Sequence, residues 1–202
     1  MANPTGAFGL CPVRHLNGSP WNGATIPCYV SASYATALFV GDPVLMETAA
    51  ANKDATGKKP TIIKSAGTDG TIIWGVITSF QPTDRDSKVY NPASTERVAN
   101  VCVDPTVIYQ VRGDGGGTVT DLFPGLNAVL IQTAAGSTVT GLSGFHLDEG
   151  TTDAPAVDQT NTLYILNIAD REDNELGDNS VWEVLLNTNE NATGRYLGVL
   201  AS

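Results

Sequence analysis

Nucleophilic catalysis needs a serine or cysteine beside a histidine, with a third group that orients the histidine. The sequence holds two histidines, His15 and His146. His146 follows Gly141-Leu142-Ser143-Gly144, which misses the G-x-S-x-G spacing of a nucleophile elbow by one residue. His15 lies in a segment without regular periodicity, which is a poor scaffold for catalytic geometry. The sequence therefore indicates no catalytic residues, and we expect a protein that is not an enzyme.

Carboxylates are the second group that could do chemistry. Asp148 with Glu149, and the run Asp170–Asp178, could supply the paired acids that a glycosidase needs across a cleft. Thirteen acidic residues after position 112 make such clusters expected by chance, so these patterns favour solvated surface. The run also fails the calcium-loop pattern, because Glu175 stands at the sixth position, where glycine is needed. The sequence predicts no metal site.

The glycine-rich run Gly113-Asp114-Gly115-Gly116-Gly117 resembles a phosphate cradle only in part. A dinucleotide-binding fingerprint needs a third glycine where Thr118 stands, and a parallel strand, helix and strand around it. We therefore interpret the run as a flexible hairpin end, and we expect no bound cofactor.

The three cysteines, Cys11, Cys28 and Cys102, are widely spaced and include no C-x-x-C pair. This pattern supports neither a disulfide framework nor a zinc site. The N-terminal residues lack a charged run followed by an apolar one, and no stretch approaches about 18 consecutive apolar residues. We expect a product of a host cytoplasm with no signal peptide and no membrane partner.

Charge narrows the choice of partners. Eleven Lys and Arg residues against 21 Asp and Glu residues give this 202-residue chain a net charge of −10. Nucleic-acid binding needs a basic face, so we expect no direct nucleic-acid partner. Residues 1–112 carry nine basic and eight acidic residues, whereas residues 113–202 carry two and thirteen. We expect the first half to face a partner, with Asp148–Asp158 and Asp170–Asp178 facing solvent.

Hydrophobic periodicity predicts an all-β chain. Short apolar runs rich in β-branched residues alternate with Gly, Asp, Asn and Thr, and no run keeps a helical stripe for three turns. Any helix is short, with one or two turns at Asp170–Asp178 as the candidate. Short strands separated by turns favour a single β-sandwich or barrel over residues 25–202, with a jelly-roll arrangement among the options. The predicted strands cover residues 25–31, 36–40, 43–48, 60–65, 71–80, 97–103, 106–112, 127–133, 162–169 and 180–187.

Residues 1–24 differ from this body. They mix Gly, Pro and Asn with isolated large apolar residues, among them Phe8, Leu10 and Trp21, without the period of a strand or a helix. We interpret them as an extended N-terminal arm. Because these side chains have no periodic face to fold against, we expect the arm to bury them on a neighbouring subunit or partner.

Several segments are similar to one known family. The run ANPTGAFGLCPVRHLNGSPWNGA, the run YVSASYATALFVGDPV and the strand GTIIWGVI resemble the head decoration, or cement, proteins of tailed bacteriophages. The later segments VDPTVIYQVRGDGG and NSVWEVLLN fit the same family. The resemblance implies that Gly41–Val44 turns into a strand, that Trp74–Thr78 is a central strand and that Ile108–Arg112 is its neighbour.

The resemblance also implies a function. Such proteins are β-rich, form trimers or sometimes dimers, and lie on the capsid exterior across capsomer junctions, where they reinforce the shell. The implied partners are the major capsid protein and further copies of this chain, as a homotrimer in preference to a dimer. The alternative is a carbohydrate- or receptor-binding module of a phage fibre or adhesin, and a hydrolase of the shell would need a site that the sequence does not offer. The expected capsid or subunit contacts are Phe8, Leu10, Arg14, Trp21, Arg85 and Arg97.

Overall fold

The structure, a computed structural model, describes residues 3–49 and 52–189. Strands provide nearly all of its regular secondary structure, and every pairing between two strands is antiparallel. The prediction of an all-β fold is confirmed. The strands are β1 (Cys11–His15), β2 (Ile26–Val30), β3 (Pro43–Met46), β4 (Ile62–Lys64), β5 (Gly75–Phe80), β6 (Arg97–Cys102), β7 (Val107–Arg112), β8 (Asn127–Ala128), β9 (Leu130–Gln132), β10 (Phe145–Leu147), β11 (Leu163–Ile168) and β12 (Val181–Leu186).

The first sheet has the strand order β1-β7-β12-β11-β8. Successive side chains of a strand point to opposite faces, so alternate residues of one strand share a face. Val107, Tyr109 and Val111 of β7 and Trp182 and Val184 of β12 follow this alternation into a common hydrophobic cluster, the first core. These fully buried side chains account for the predicted strand character of both segments.

A two-stranded sheet of β9 and β10 adds Leu130, Phe145 and Leu147 to the first core. The predicted strand 127–133 is here divided into β8, which pairs with β11, and β9, which pairs with β10. Strand β10 was not predicted, because its three residues are too short for a periodic signal.

The second sheet, of order β2-β6-β5-β3-β4, curves towards a closed barrel. Its outer strands meet where Tyr29 of β2 donates its backbone N–H to the carbonyl of Pro60, at 2.8 Å, beside a bridge to Thr61. Closure removes the exposed strand edges that promote aggregation. A separate cluster that includes Val30, Val44 and Val101, the second core, fills this sheet.

Three local predictions have clear outcomes. Gly41 adopts a φ of +91°, and the chain turns there into β3, as predicted. Residues 36–40 form no strand; Leu38 and Val40 make isolated bridges only. The segment Asp170–Asp178 forms turns between β11 and β12 without a helix, since its crowded acidic side chains repel one another over one turn.

One implied neighbour relation is wrong. Strand β5 is central in its sheet, as expected, and it pairs with β3 and β6. Strand β7 lies in the other sheet, between β1 and β12. The two strands face a common core instead, because Val76 of β5 and Tyr109 of β7 both belong to the first core.

Candidate binding groove

The N-terminal segment, residues 3–24, is folded into the body. Its residues Cys11–His15 form β1, the outer strand beside β7. Leu10 is 1% exposed, lies in the first core and donates its backbone N–H to the Gly41 carbonyl at 3.0 Å. Pro12 and a bulge between Pro12 and Arg14 break the strand period, which hid this strand in the sequence. The prediction of an arm without a core of its own is therefore wrong.

The beginning of the segment is held by the acidic turn Asp170–Asp178. The side-chain amide of Asn3 donates to the backbone carbonyls of Glu175 at 2.7 Å and Asp178 at 3.0 Å. Its oxygen accepts the backbone N–H of Glu175 at 2.9 Å. The N-terminal residues and the exposed acidic turn thus lie together. The prediction that they face opposite partners, one a capsid and the other solvent, loses its geometric basis.

Arg112, at the end of β7, holds the next residues. Its guanidinium donates to the backbone carbonyl of Pro4 and lies 5.5 Å from the centroid of the Phe8 ring. A cation over an aromatic face is attracted by the ring quadrupole. Arg112 therefore anchors the N-terminal segment to the first sheet through one hydrogen bond and one aromatic contact.

A groove of about 710 Å³ lies between this segment and the second sheet. Ligand-binding grooves of proteins are concave and mostly apolar, with a few polar groups that orient the ligand, and this groove has that character. Its polar lining includes Thr78, Ser79, Asn100 and Gln110. Its apolar lining includes Phe8, Leu10, Trp21, Val40, Ile77 and Leu142.

Trp21 is shared between the groove and the first core. The backbone N–H of Trp21 donates to the Val13 carbonyl at 3.1 Å, and Arg14 bridges to Pro20, so the chain folds back along β1. The half-buried indole packs against the first core and also lines the groove. Its position is therefore set by the body of the protein, which makes it a rigid contact for a bound partner.

Charge is nearly absent from the groove. Arg171 is the one charged residue among the lining residues of the described chain, and it forms an ion pair with Asp173 at 2.9 Å. Because this pair is exposed, water screens it. The groove therefore suits an uncharged, largely apolar ligand or chain segment.

Comparison with known protein families, curated proteins and solved structures gives no match. Within residues 3–49 and 52–189, no helix is long and apolar enough to cross a membrane. In the same ranges, no three His, Cys, Asp or Glu side chains are grouped to hold a metal ion. The groove is therefore interpreted from its own geometry and chemistry.

The structure brings together three of the six predicted contact residues. Phe8, Leu10 and Trp21 all line the groove, although Leu10 is committed mainly to the core. Arg14 lies on β1 and forms an ion pair with Glu183 of β12, away from the groove lining. Arg85 is exposed in the loop after β5 and is also outside the groove lining.

Arg97 is a structural residue. It is 7% exposed, and its guanidinium donates to the backbone carbonyls of Gln81 at 2.9 Å, Lys88 at 2.7 Å and Tyr90 at 2.8 Å. Burial lowers the pKa of Arg97. The prediction that Arg97 contacts a capsid is wrong, because its donors hold the loop between β5 and β6 and it is closed to solvent.

The two histidines are apart. His15 Nδ1 lies 3.4 Å from both Asp104 Oδ2 and Thr106 Oγ1, at the edge of the first sheet. His146 is buried in β10, with Nδ1 3.2 Å from Thr133 Oγ1, and burial lowers the pKa of its imidazole. These contacts explain both imidazoles as structural groups.

Buried carboxylates are the functional class that the sequence did not reveal. Asp148 and Glu149, predicted to face solvent, are 0% and 1% exposed. Asp148 accepts the backbone N–H groups of Gly150 at 2.9 Å and Asp153 at 2.9 Å, which caps its own loop. The prediction of a solvated pair is wrong, whereas the run Asp170–Asp178 is largely exposed as expected.

Proposed function

We propose that the chain is a decoration protein of a tailed-bacteriophage head, which binds the outer surface of the shell at capsomer junctions and stabilises it. The observation that supports this proposal most is the apolar groove beside the N-terminal segment. Phe8 and Trp21, which belong to the run that resembles decoration proteins, meet in this groove. The groove offers an uncharged surface to which a segment of the major capsid protein can bind.

The energetics of such an assembly are modest for each copy and large for the shell. Burying apolar surface contributes roughly 25 cal/mol per Å², and one large side chain contributes about 1.5–3 kcal/mol. Copies that bind several shell subunits at once gain further affinity, because the second contact is intramolecular. A groove of this size therefore supplies enough contact for a repeated structural role.

We propose a homotrimer in preference to a dimer. A cyclic trimer matches the threefold and quasi-threefold junctions of an icosahedral shell, so every subunit can make the same contact. The mass of decoration protein on each junction should then correspond to three chains, as measured by reconstruction of the particle. A two-fold density at the junction would replace the trimer by a dimer without affecting the binding proposal.

Ser79→Arg tests the groove directly. Ser79 is an exposed residue of β5 in the groove lining, so arginine there places a bulky charge in an apolar site without changing a core. We expect affinity for shells that lack the decoration protein to fall at least tenfold, measured by cosedimentation.

The matched control is Ser33→Arg, at an exposed serine outside the groove lining, which should bind like the wild type. Each substitution removes one hydrogen bond between a serine hydroxyl and an asparagine side chain. Ser79 Oγ accepts from Asn100 Nδ2 at 2.9 Å, and Ser33 Oγ donates to Asn52 Oδ1 at 2.8 Å. The two variants therefore differ mainly in whether the new charge enters the groove.

The two variants also separate causes of failure. Equal urea midpoints for both variants would show that Ser79→Arg leaves the fold intact. If Ser79→Arg then decorates shells as well as Ser33→Arg does, the groove is not the docking surface. If the wild type does not bind shells at all, the decoration proposal itself is wrong.

A carbohydrate-binding module is the second candidate, and one observation favours it. Trp21 shares the groove with the side-chain amides of Asn100 and Gln110. Sugars stack on aromatic rings and form hydrogen bonds with amides, so this combination suits a glycan. Binding of soluble glycans that is lost in Ser79→Arg but kept in Ser33→Arg, without binding to shells, would support this candidate over decoration.

A further inference from the structure

Glu149 lies where three segments meet. Its carboxylate accepts the indole N–H of Trp182 at 2.8 Å on Oε1, and on Oε2 it accepts the backbone N–H groups of Gly115 at 3.0 Å and Asn179 at 3.3 Å. These donors belong to β12, to the loop after β7 and to the turn before β12. One side chain therefore ties the loop and the turn to the first core.

The loop after β7 is packed tightly on this carboxylate. A Cβ atom on Gly113 would clash with the carboxylate of Glu149, and one on Gly116 would clash with Thr151 Oγ1. The backbone N–H of Glu149 in turn donates to Asp114 Oδ1 at 3.0 Å. The interpretation of 113–117 as a flexible hairpin end is wrong, because β7 continues into no hairpin with β8 and the loop is held by Glu149.

No cation neutralises this carboxylate directly. None of the ion pairs formed within the described ranges includes Glu149. Burial, opposed in part by the hydrogen bonds and reinforced by Asp114, raises the pKa of Glu149 to about 7. The titratable and charged groups on the segments packed around it are Asp114, Arg112, His146, Asp148, Asp178 and Glu183.

The contact continues from Glu149 to the N-terminal segment. Asn179, which donates to Glu149, has a left-handed φ of +60°, and its carbonyl accepts from Arg112 Nη1 at 3.3 Å. The same nitrogen donates to the Pro4 carbonyl, and the guanidinium lies over the Phe8 ring. A shift of Asn179 therefore acts on both anchors of residues 3–8.

We propose that Glu149 is a pH-sensitive latch on the N-terminal segment, closed when its carboxyl is neutral and opened when the carboxyl ionises above neutral pH. Loss of the proton leaves a desolvated charge beside Asp114, which water can relieve only if the loop and turn separate. Separation moves Asn179 and loosens Arg112 from Pro4 and Phe8. The latch needs no shell or glycan, so it operates in the isolated protein.

Hydrogen exchange at pH 6 and pH 8, corrected for the intrinsic pH dependence of the exchange rate, tests the latch. In the wild type, protection of peptides from residues 3–10 and 113–117 should fall at least about tenfold at the higher pH, while β6 stays protected. Glu149→Gln, which cannot ionise, should show no such pH dependence. Glu172→Gln, a matched change at an exposed glutamate of the acidic turn, should behave like the wild type.

A second measurement uses only the wild type, in case Glu149→Gln does not fold. The side-chain carboxyl of Glu149 should titrate by carbon NMR with a midpoint above about pH 6, well above an ordinary glutamate. A midpoint below that value overturns the latch, and so does equal protection of residues 3–10 at the two pH values. Binding to shells plays no part in either measurement, so these results leave the decoration proposal to its own test.

Discussion

Asp42→Ala should lower the free energy of unfolding by about 3–5 kcal/mol, because it leaves a buried cation without its partner. The Asp42 carboxylate is fully buried and accepts from Lys64 Nζ at 3.0 Å, Ser143 Oγ at 2.6 Å and the Phe39 N–H at 2.9 Å. The Lys64 side chain is only 12% exposed, and its ammonium lies 5.6 Å and 5.9 Å from the ring centroids of Phe39 and Phe145. Alanine at position 42 removes the anion and both hydrogen-bond acceptors at once.

Urea unfolding followed by tryptophan fluorescence measures this effect. The matched control is Asp86→Ala, an exposed aspartate in the loop after β5, which should change stability by no more than about 0.5 kcal/mol. Adding Lys64→Met to Asp42→Ala should recover part of the loss, because no lone ammonium is then buried. A loss below about 1 kcal/mol in Asp42→Ala alone would show that Lys64 reaches water and that the pair is not structural.

The fold class follows from local chemistry. Runs such as Val107–Arg112 and Val181–Leu186 combine β-branched and aromatic residues at strand length, and the structure buries both as neighbours in one sheet. Closure of the second sheet was not predictable in the same way. It depends on one contact between Tyr29 and Thr61, which are far apart in the chain and carry no distinctive pattern.

The groove was predictable in composition but not in position. Phe8 and Trp21 attracted attention as large apolar residues without a period, and both do line the groove. Their counterparts Val40 and Leu142 come from distant loops, so only the tertiary structure brings them together. The expectation of a partner in trans failed for Leu10, since the first core of the same chain buries it.

Buried carboxylates show the sharper limit of sequence reasoning. Glu149 and Glu172 both lie in acidic, turn-rich surroundings, yet Glu149 is 1% exposed and Glu172 is exposed. The difference comes from the Trp182 indole and from two backbone N–H groups of other segments. Backbone donors are the same for every residue type, so the sequence carries no sign of where they converge.

Leu10→Ala decides whether the N-terminal segment belongs to the body, and it should cost about 2–5 kcal/mol of unfolding free energy. Leu10 is 1% exposed and packs in the first core, so alanine leaves a cavity that β1 and the Gly41 turn cannot fill. Leu16→Ala is the same substitution six positions later at a side chain that is 48% exposed, and it should stay within about 0.5 kcal/mol. Both variants are compared by urea unfolding, with equal dependence on denaturant as the check that the unfolded states match. Equal, small losses would mean that residues 3–24 detach from an intact body. A large loss at Leu10 alone would mean that deleting residues 1–24 removes part of the first core together with an outer strand.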